Sequence, residues 1–171
     1  MGPDRTAADR QTKETAMPDP VGPLRVTELT IEDGLDIAMW RTPGPWAVED
    51  SLTAPRPDEG YWAVRSSDDQ LLGYCCFGEK ARPVGLPAKP GALDVAIGLA
   101  PQYAGQGMSR TFAKAVLEHG RSVSEGRILR TAVAEWNAVG RHTTEATGFQ
   151  LVGRHEVKGG RTTMPYFLYE I

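Results

Sequence analysis

Residues 94–110 read Asp-Val-Ala-Ile-Gly-Leu-Ala-Pro-Gln-Tyr-Ala-Gly-Gln-Gly-Met-Ser-Arg. The apolar run at 92–99 predicts a central strand. Pro101, Gly105 and Gly107 then break the chain, and Met108, Phe112, Ala115, Val116 and His119 recur at helical spacing, with Gly120 as the expected stop. A strand that turns on glycines into a helix makes an anion site. The first N–H groups of a helix have no partner within it, the dipole places positive charge there, and glycine lets a ligand approach the backbone. The arrangement suits a pyrophosphate. A Walker loop requires Gly-Lys-Ser/Thr at its end, and no such Lys is present. A G-x-G-x-x-G dinucleotide fingerprint fails because Arg110 occupies the third glycine position.

Outward from this segment the chain alternates elements. Residues 24–29 alternate as a strand. Thr30 caps a predicted helix reaching Arg41, weakened by Gly34. Residues 42–60, with Pro43, Pro45, Pro55 and Pro57, read as a loop around one short helix. Residues 61–65 and 71–78 form a hairpin about the Ser66–Gln70 turn, and 79–91 is a Pro/Gly-rich connection. After the central helix come a strand at 128–134, a short helix at 137–147 ended by Gly148, and a last hairpin, 149–157 and 162–171, turning at 158–161. The order is β-α-α-β-β-β-α-β-α-β-β, a mixed α/β domain over 23–171. Residues 1–22 are charged, Pro-containing and nearly free of large apolar groups, which predicts a flexible tail.

Two constellations together resemble the GNAT superfamily of N-acetyltransferases. In that family a central strand ends, a Pro often follows, and Q/R-x-x-G-x-G/A opens the helix that holds acetyl-CoA. Here Pro101 is in place and Ala104-x-x-Gly107-x-Ser109 aligns, with Ala104 where Gln or Arg is usual and Ser109 where Gly or Ala is usual. The family also shows a strand, an Asn opening a short helix, and Gly-Phe about 11 residues later; Asn137 and Gly148-Phe149 match. The resemblance implies an α/β GNAT fold: a mixed, mostly antiparallel central sheet, flanking helices and a splayed central pair of strands. It implies acetyl-CoA as co-substrate. Backbone groups of Ala104, Gly105, Gln106, Gly107, Met108, Ser109 and Arg110 would hold the pyrophosphate. Ile97, Gly98, Leu99 and Asn137 would hold the pantetheine chain. The acceptor implied is a primary amine, of a small molecule or a protein. A homodimer through the last strands is the corresponding expectation for assembly.

The proton chemistry departs from the family. The Tyr that serves many relatives as general acid, seven residues after the Asn, is Thr144 here, and the Glu that some use as base, five residues before it, is Ala132. His142, Tyr166 and Tyr169 are the substitutes considered for the acid. Asp94 and Glu135 are the candidate bases, and counting along the strand requires a bulge for Asp94 to reach the site. Each has a plain alternative: Asp94 a structural carboxylate, Glu135 a solvated charge, His142 an exposed helix residue. Trp40, Trp46, Tyr61, Tyr166 and Tyr169 are candidates for the acceptor side. A GNAT-fold acyl-CoA sensor with weak turnover is the competing reading.

Composition narrows the classes further. The 171 residues carry a formal net charge of -3, which does not favour nucleic acid or an anionic membrane as partner. No apolar run approaches the roughly 20 residues of a spanning helix, and no apolar stretch near Met1 suggests a signal. Cys75 and Cys76 are neighbours on one strand and point to opposite faces, so a reduced, cytoplasmic setting is expected. His119, His142 and His155 lack metal-ligand spacing.

Overall fold

A computed structural model of the chain describes residues 22–43 and 53–171. The expected tail, apart from Gly22, lies outside the described residues, as does the segment 44–52, with Trp46, of the loop 42–60 in which a short second helix was expected; within the described part of that loop, Pro57–Glu59 forms a 3-10 turn. Ten main elements follow in order: β1 Arg25–Glu28, α1 Ile31–Met39, β2 Tyr61–Arg65, β3 Leu71–Phe77, β4 Ala92–Leu99, α2 Ser109–Val123, β5 Ile128–Ala134, α3 Ala138–Ala146, β6 Gln150–Gly159 and β7 Thr162–Glu170.

The strands form a 7-stranded sheet in the order β1-β2-β3-β4-β5-β7-β6. β4 and β5 pair in parallel, across the α2 crossover. The other neighbours run antiparallel. This is the mixed, mostly antiparallel sheet expected from the sequence. Alternation along the strands puts neighbouring residues on opposite faces. Val64 and Cys75 therefore join the core under α2, with Leu93, Val95, Phe112, Val116 and Leu129. Their neighbours Ala63 and Tyr74 face the other way, with Leu29 and Ile37, under α1.

α1 starts on a capping box: the Thr30 hydroxyl accepts from the Asp33 N–H, and the Asp33 carboxylate accepts from the Thr30 N–H. Asp33 also accepts from Arg65 at 2.5 Å. Burial pushes the Asp33 carboxyl up, but the Thr30 N–H and the Arg65 guanidinium outweigh it and hold it below its ordinary value. The helix ends at Met39, short of the expected Arg41, because Trp40 turns to extended backbone. Gly34 is tolerated because α1 lies against the chain: a Cβ there would sit 2.2 Å from the Pro55 carbonyl oxygen.

α2 corrects a second expectation. Gly120 does not stop the helix, which continues to Val123. Its Cβ would stand 3.0 Å from Leu129 and 3.1 Å from Phe77, so this glycine serves close approach of helix to sheet. In the last hairpin the strands reach Gly159 and resume at Thr162, leaving a tighter turn than expected, with Gly160 at φ 57.

Candidate functional site

The β4–β5 ladder is short. It pairs Ala92 with Ile128, Leu93 with Leu129 and Asp94 with Arg130, and there it ends. β4 runs on to Leu99, paired with β3. β5 runs on to Ala134, paired with β7. The two central strands therefore part after Asp94, and the edge of β4 at Ile97, Gly98 and Leu99 lines the gap. Ile97 is 47% exposed, which is high for an apolar residue of a central strand.

Beyond Leu99, a short 3-10 turn at Pro101–Tyr103 leads into the glycine loop. Gly105 and Gly107 take φ 73 and φ 75, the left-handed region where a side chain is strained. No atom would lie within 4 Å of a Cβ at either, so conformation and open approach, and not packing, call for glycine there. Gln106 ties the loop by donating from Nε2 to the Gln102 carbonyl at 2.8 Å. Met108 is buried and takes the N-cap position of α2, where it supplies no side-chain acceptor. No acidic residue stands in the first turn, and Arg110 stands there instead. Cationic charge opposes the dipole at a helix N-terminus, and a bound anion would reverse that penalty. Arg110 continues into a groove between α2 and α3, also lined by Lys114, Glu118, Arg121 and Thr147, with a volume of about 370 Å³.

After β5, Asn137 caps α3. Its Oδ1 accepts from the Gly140 N–H at 2.7 Å, which leaves the amide NH2 for another acceptor. The loop 104–110, the β4 edge and Asn137 are thus brought to the C-terminal ends of the two parted strands.

The acid and base candidates lie at different points of the sheet and of α3. Asp94 lies in the last paired rung. Arg130 donates to it from Nε at 2.6 Å and from a terminal nitrogen at 3.2 Å, and Arg82 donates at 3.3 Å. The carboxylate is 6% exposed. No bulge carries it toward the gap: the β3–β4 register is regular from Gly73↔Leu99 to Phe77↔Val95. Glu135, just past β5, is paired with Arg154 at 3.1 Å and is 41% exposed. His142 is exposed on α3. Thr144 donates its hydroxyl to the Gly140 carbonyl at 2.8 Å, within its own helix. Tyr169 is fully buried and donates to Glu145 at 3.0 Å, on the α3 face. Burial pushes its phenol up to about 12, and the Glu145 carboxylate adds to the shift. Tyr166 pairs with Ala134 at the end of β5, on the opposite face. Burial also pushes the thiols of Cys75 and Cys76 up to about 12, so neither is a thiolate nucleophile.

Sequence reading missed Tyr74. It pairs directly with Gly98 across β3 and β4, and its ring packs with Trp40 and Tyr61 under α1. The only local signal was an aromatic inside an apolar strand, which is ordinary core composition.

The profile of the Acetyltransferase (GNAT) family matches residues 25–149. No curated protein matches the sequence. Among solved structures, a GNAT-family acetyltransferase from Bacillus anthracis superposes with a TM-score of 0.67 at 12% identity, covering 88% of this chain and 95% of that one. Spermidine N-acetyltransferase from Vibrio cholerae, in complex with CoA and spermine, gives a TM-score of 0.62 at 18% identity, over 85% and 94% of the two chains. An aminoglycoside acetyltransferase in complex with coenzyme A gives 0.60 at 16%, over 85% and 93%. At such identities these likenesses speak for the fold alone. The sequence match spans most of the chain, and with the parted central strands and the glycine loop it places this protein in the GNAT acetyltransferase family.

Proposed function

We propose that the protein transfers an acetyl group from acetyl-CoA to a primary amine by direct attack within a ternary complex. The observation that carries this reading is the end of the β4–β5 ladder at Asp94↔Arg130: it opens a gap whose mouth meets a glycine-rich helix start that no side chain caps. A thioester-bearing arm fits that gap, with its pyrophosphate at the helix start. The N–H groups of 105–110 would receive the pyrophosphate, and Arg110 would add charge. Asn137 would receive the pantetheine amide. Backbone groups of Ile97 and Leu99, which turn to the open edge of β4, would pair with the arm as an absent strand would, while those of Gly98 face Tyr74 on β3.

The chemistry then needs little from side chains. A strand N–H on β4 polarises the thioester carbonyl and stabilises the tetrahedral oxyanion. The neutral amine attacks, the C–N bond forms, and the C–S bond breaks. A thiol pKa of about 8.5 makes the thiolate a fair leaving group without a protein acid. Thr144, bonded to its own helix, is not assigned the acid role. Asp94, held by two guanidiniums, is assigned to structure. Glu135 is the carboxylate that remains near the mouth, and we assign it proton uptake from the amine through solvent, with His142 as the second candidate. A homodimer through the last strands is proposed on the exposed outer edge of β6.

The test is direct. Acetyl-CoA should raise the melting temperature, and free thiol should appear when an amine is added. ATP or NAD raising the melting temperature, with acetyl-CoA inert, would overturn the assignment. The family's acid position is filled by Thr144, whose hydroxyl is committed to Gly140, and this favours one second reading: an acyl-CoA sensor. Tight acetyl-CoA binding with no thiol release across a broad amine panel would select it.

A further inference from the structure

Gly98 is a glycine for a reason that the cofactor does not supply. Its φ is not in the left-handed region, so its conformation is open to any residue. Space is what excludes a side chain. A Cβ on Gly98 would lie 2.3 Å from Tyr74 Cε1, 2.4 Å from Cζ and 2.7 Å from the phenol oxygen. These are the distal atoms of the ring. Tyr74 starts on β3, directly opposite Gly98, so its ring lies across β4 and carries the phenol toward the side where β4 and β5 have parted. Two further rings hold it there. Trp40, at the end of α1, stacks on it with centroids 6.2 Å apart and planes at 30°. Tyr61 meets it at 5.8 Å and 56°.

We infer that Tyr74 is a specificity-determining residue for the amine acceptor, with Gly98 kept bare to seat its ring. This rests on the acetyl-transfer reading above. α2 and the glycine loop belong to one face of the sheet, and the thioester arm lies in the gap beside Gly98. The attacking amine must come to that carbonyl from the α1 face, and the surface of that face at Gly98 is the Tyr74 ring. The carbon chain next to the amine packs on the ring, and the ring limits how much bulk reaches the carbonyl.

The test uses Tyr74→Leu, Gly98→Ala and the double variant in the full chain. Acetyl-CoA binding is measured by calorimetry, and thiol release is followed with spermidine, ribostamycin and a dipeptide bearing a free N-terminus. Tyr74→Leu should bind acetyl-CoA as the parent does, raise KM for the accepted amine about tenfold or more, and change the order of preference among the three, the scale expected for a lost apolar contact in a recognition pocket. Gly98→Ala should lower the melting temperature when Tyr74 is present and much less when Leu replaces it, because the clash is with the ring. An unchanged amine KM and preference order in a folded Tyr74→Leu protein that binds acetyl-CoA overturns the inference alone. A parent protein that binds acetyl-CoA and releases thiol with none of these three nor with any other amine of the broad panel overturns the transfer reading and this inference with it. An equal effect of Gly98→Ala in both backgrounds refutes the seating of the ring.

Discussion

Asp94 and Arg130 are backbone partners in the last rung joining β4 to β5, and their side chains also meet, Nε to Oδ1 at 2.6 Å. The ion pair therefore sits at the fork where the sheet parts. Arg130 also donates to the Pro87 carbonyl at 2.9 Å, and Arg82 reaches Asp94, so the 79–91 connection is tied to the same point. Both side chains are nearly fully buried. Removing one partner leaves the other buried and uncompensated, which costs about 3–5 kcal/mol.

Asp94→Ala and Arg130→Met should each destabilise the fold on that scale, measured by chemical denaturation. The double replacement should cost less than the sum, since no orphaned charge remains. Activity supplies the discriminating reading: a soluble Asp94→Asn enzyme should keep the parent's pH–rate profile. A profile that loses its acidic limb with stability unchanged would restore Asp94 as the base.

Gly105 and Gly107 stand in left-handed backbone with open space around them. Alanine at either should cost roughly 1–2 kcal/mol of stability from the backbone alone. The larger effect should fall on acetyl-CoA, because the loop must meet the phosphates closely. Calorimetry on Gly107→Ala should show affinity reduced about tenfold or more, a loss of at least 1.4 kcal/mol. Equal affinity in the folded variant would remove the loop from the cofactor site.

Asn137 has two separable duties. As N-cap of α3 its side-chain oxygen accepts from Gly140, and Asn137→Ala should cost about 1 kcal/mol. Asn137→Asp keeps an oxygen for the cap and removes the amide donors. Its stability should stay near the parent's while its acetyl-CoA affinity falls. If Asn137→Asp and the parent bind acetyl-CoA alike, the residue is a cap and nothing more.

His119 gives the fold a pH dependence. Burial against Trp62, 4.4 Å between ring centroids, leaves its Nε2 without a hydrogen-bond partner and lowers its pKa below 6.5. A buried base with a lowered pKa binds its proton less readily when folded. Its neutral form is then compatible with full stability above about pH 6.5, and stability falls as pH drops below that value toward the folded pKa. His119→Gln should flatten the melting-temperature curve between pH 5 and 7. An unchanged slope would place the dependence on other groups.

The sequence by itself determined what is local. The glycine loop was legible because φ-positive glycines, Pro101 and a helical repeat lie within one short segment, and Asn137 because capping acts across a single turn. The hairpins and the α/β order followed from alternation and turn chemistry for the same reason. What the tertiary structure decided lies across distance in the chain. Gly120 reads locally as a helix stop and is instead where α2 presses on Leu129 and Phe77. Asp94 reads from the sequence as either a base or a structural carboxylate on the strand feeding the loop, and only the fold brings Arg130, 36 residues on, against it. Tyr74 reads as core until register sets it opposite Gly98. Local rules fix backbone conformation; only strand register and helix docking decide which side chains share space, and in this protein that sharing separates the groups that hold the fold from those that face the gap between β4 and β5.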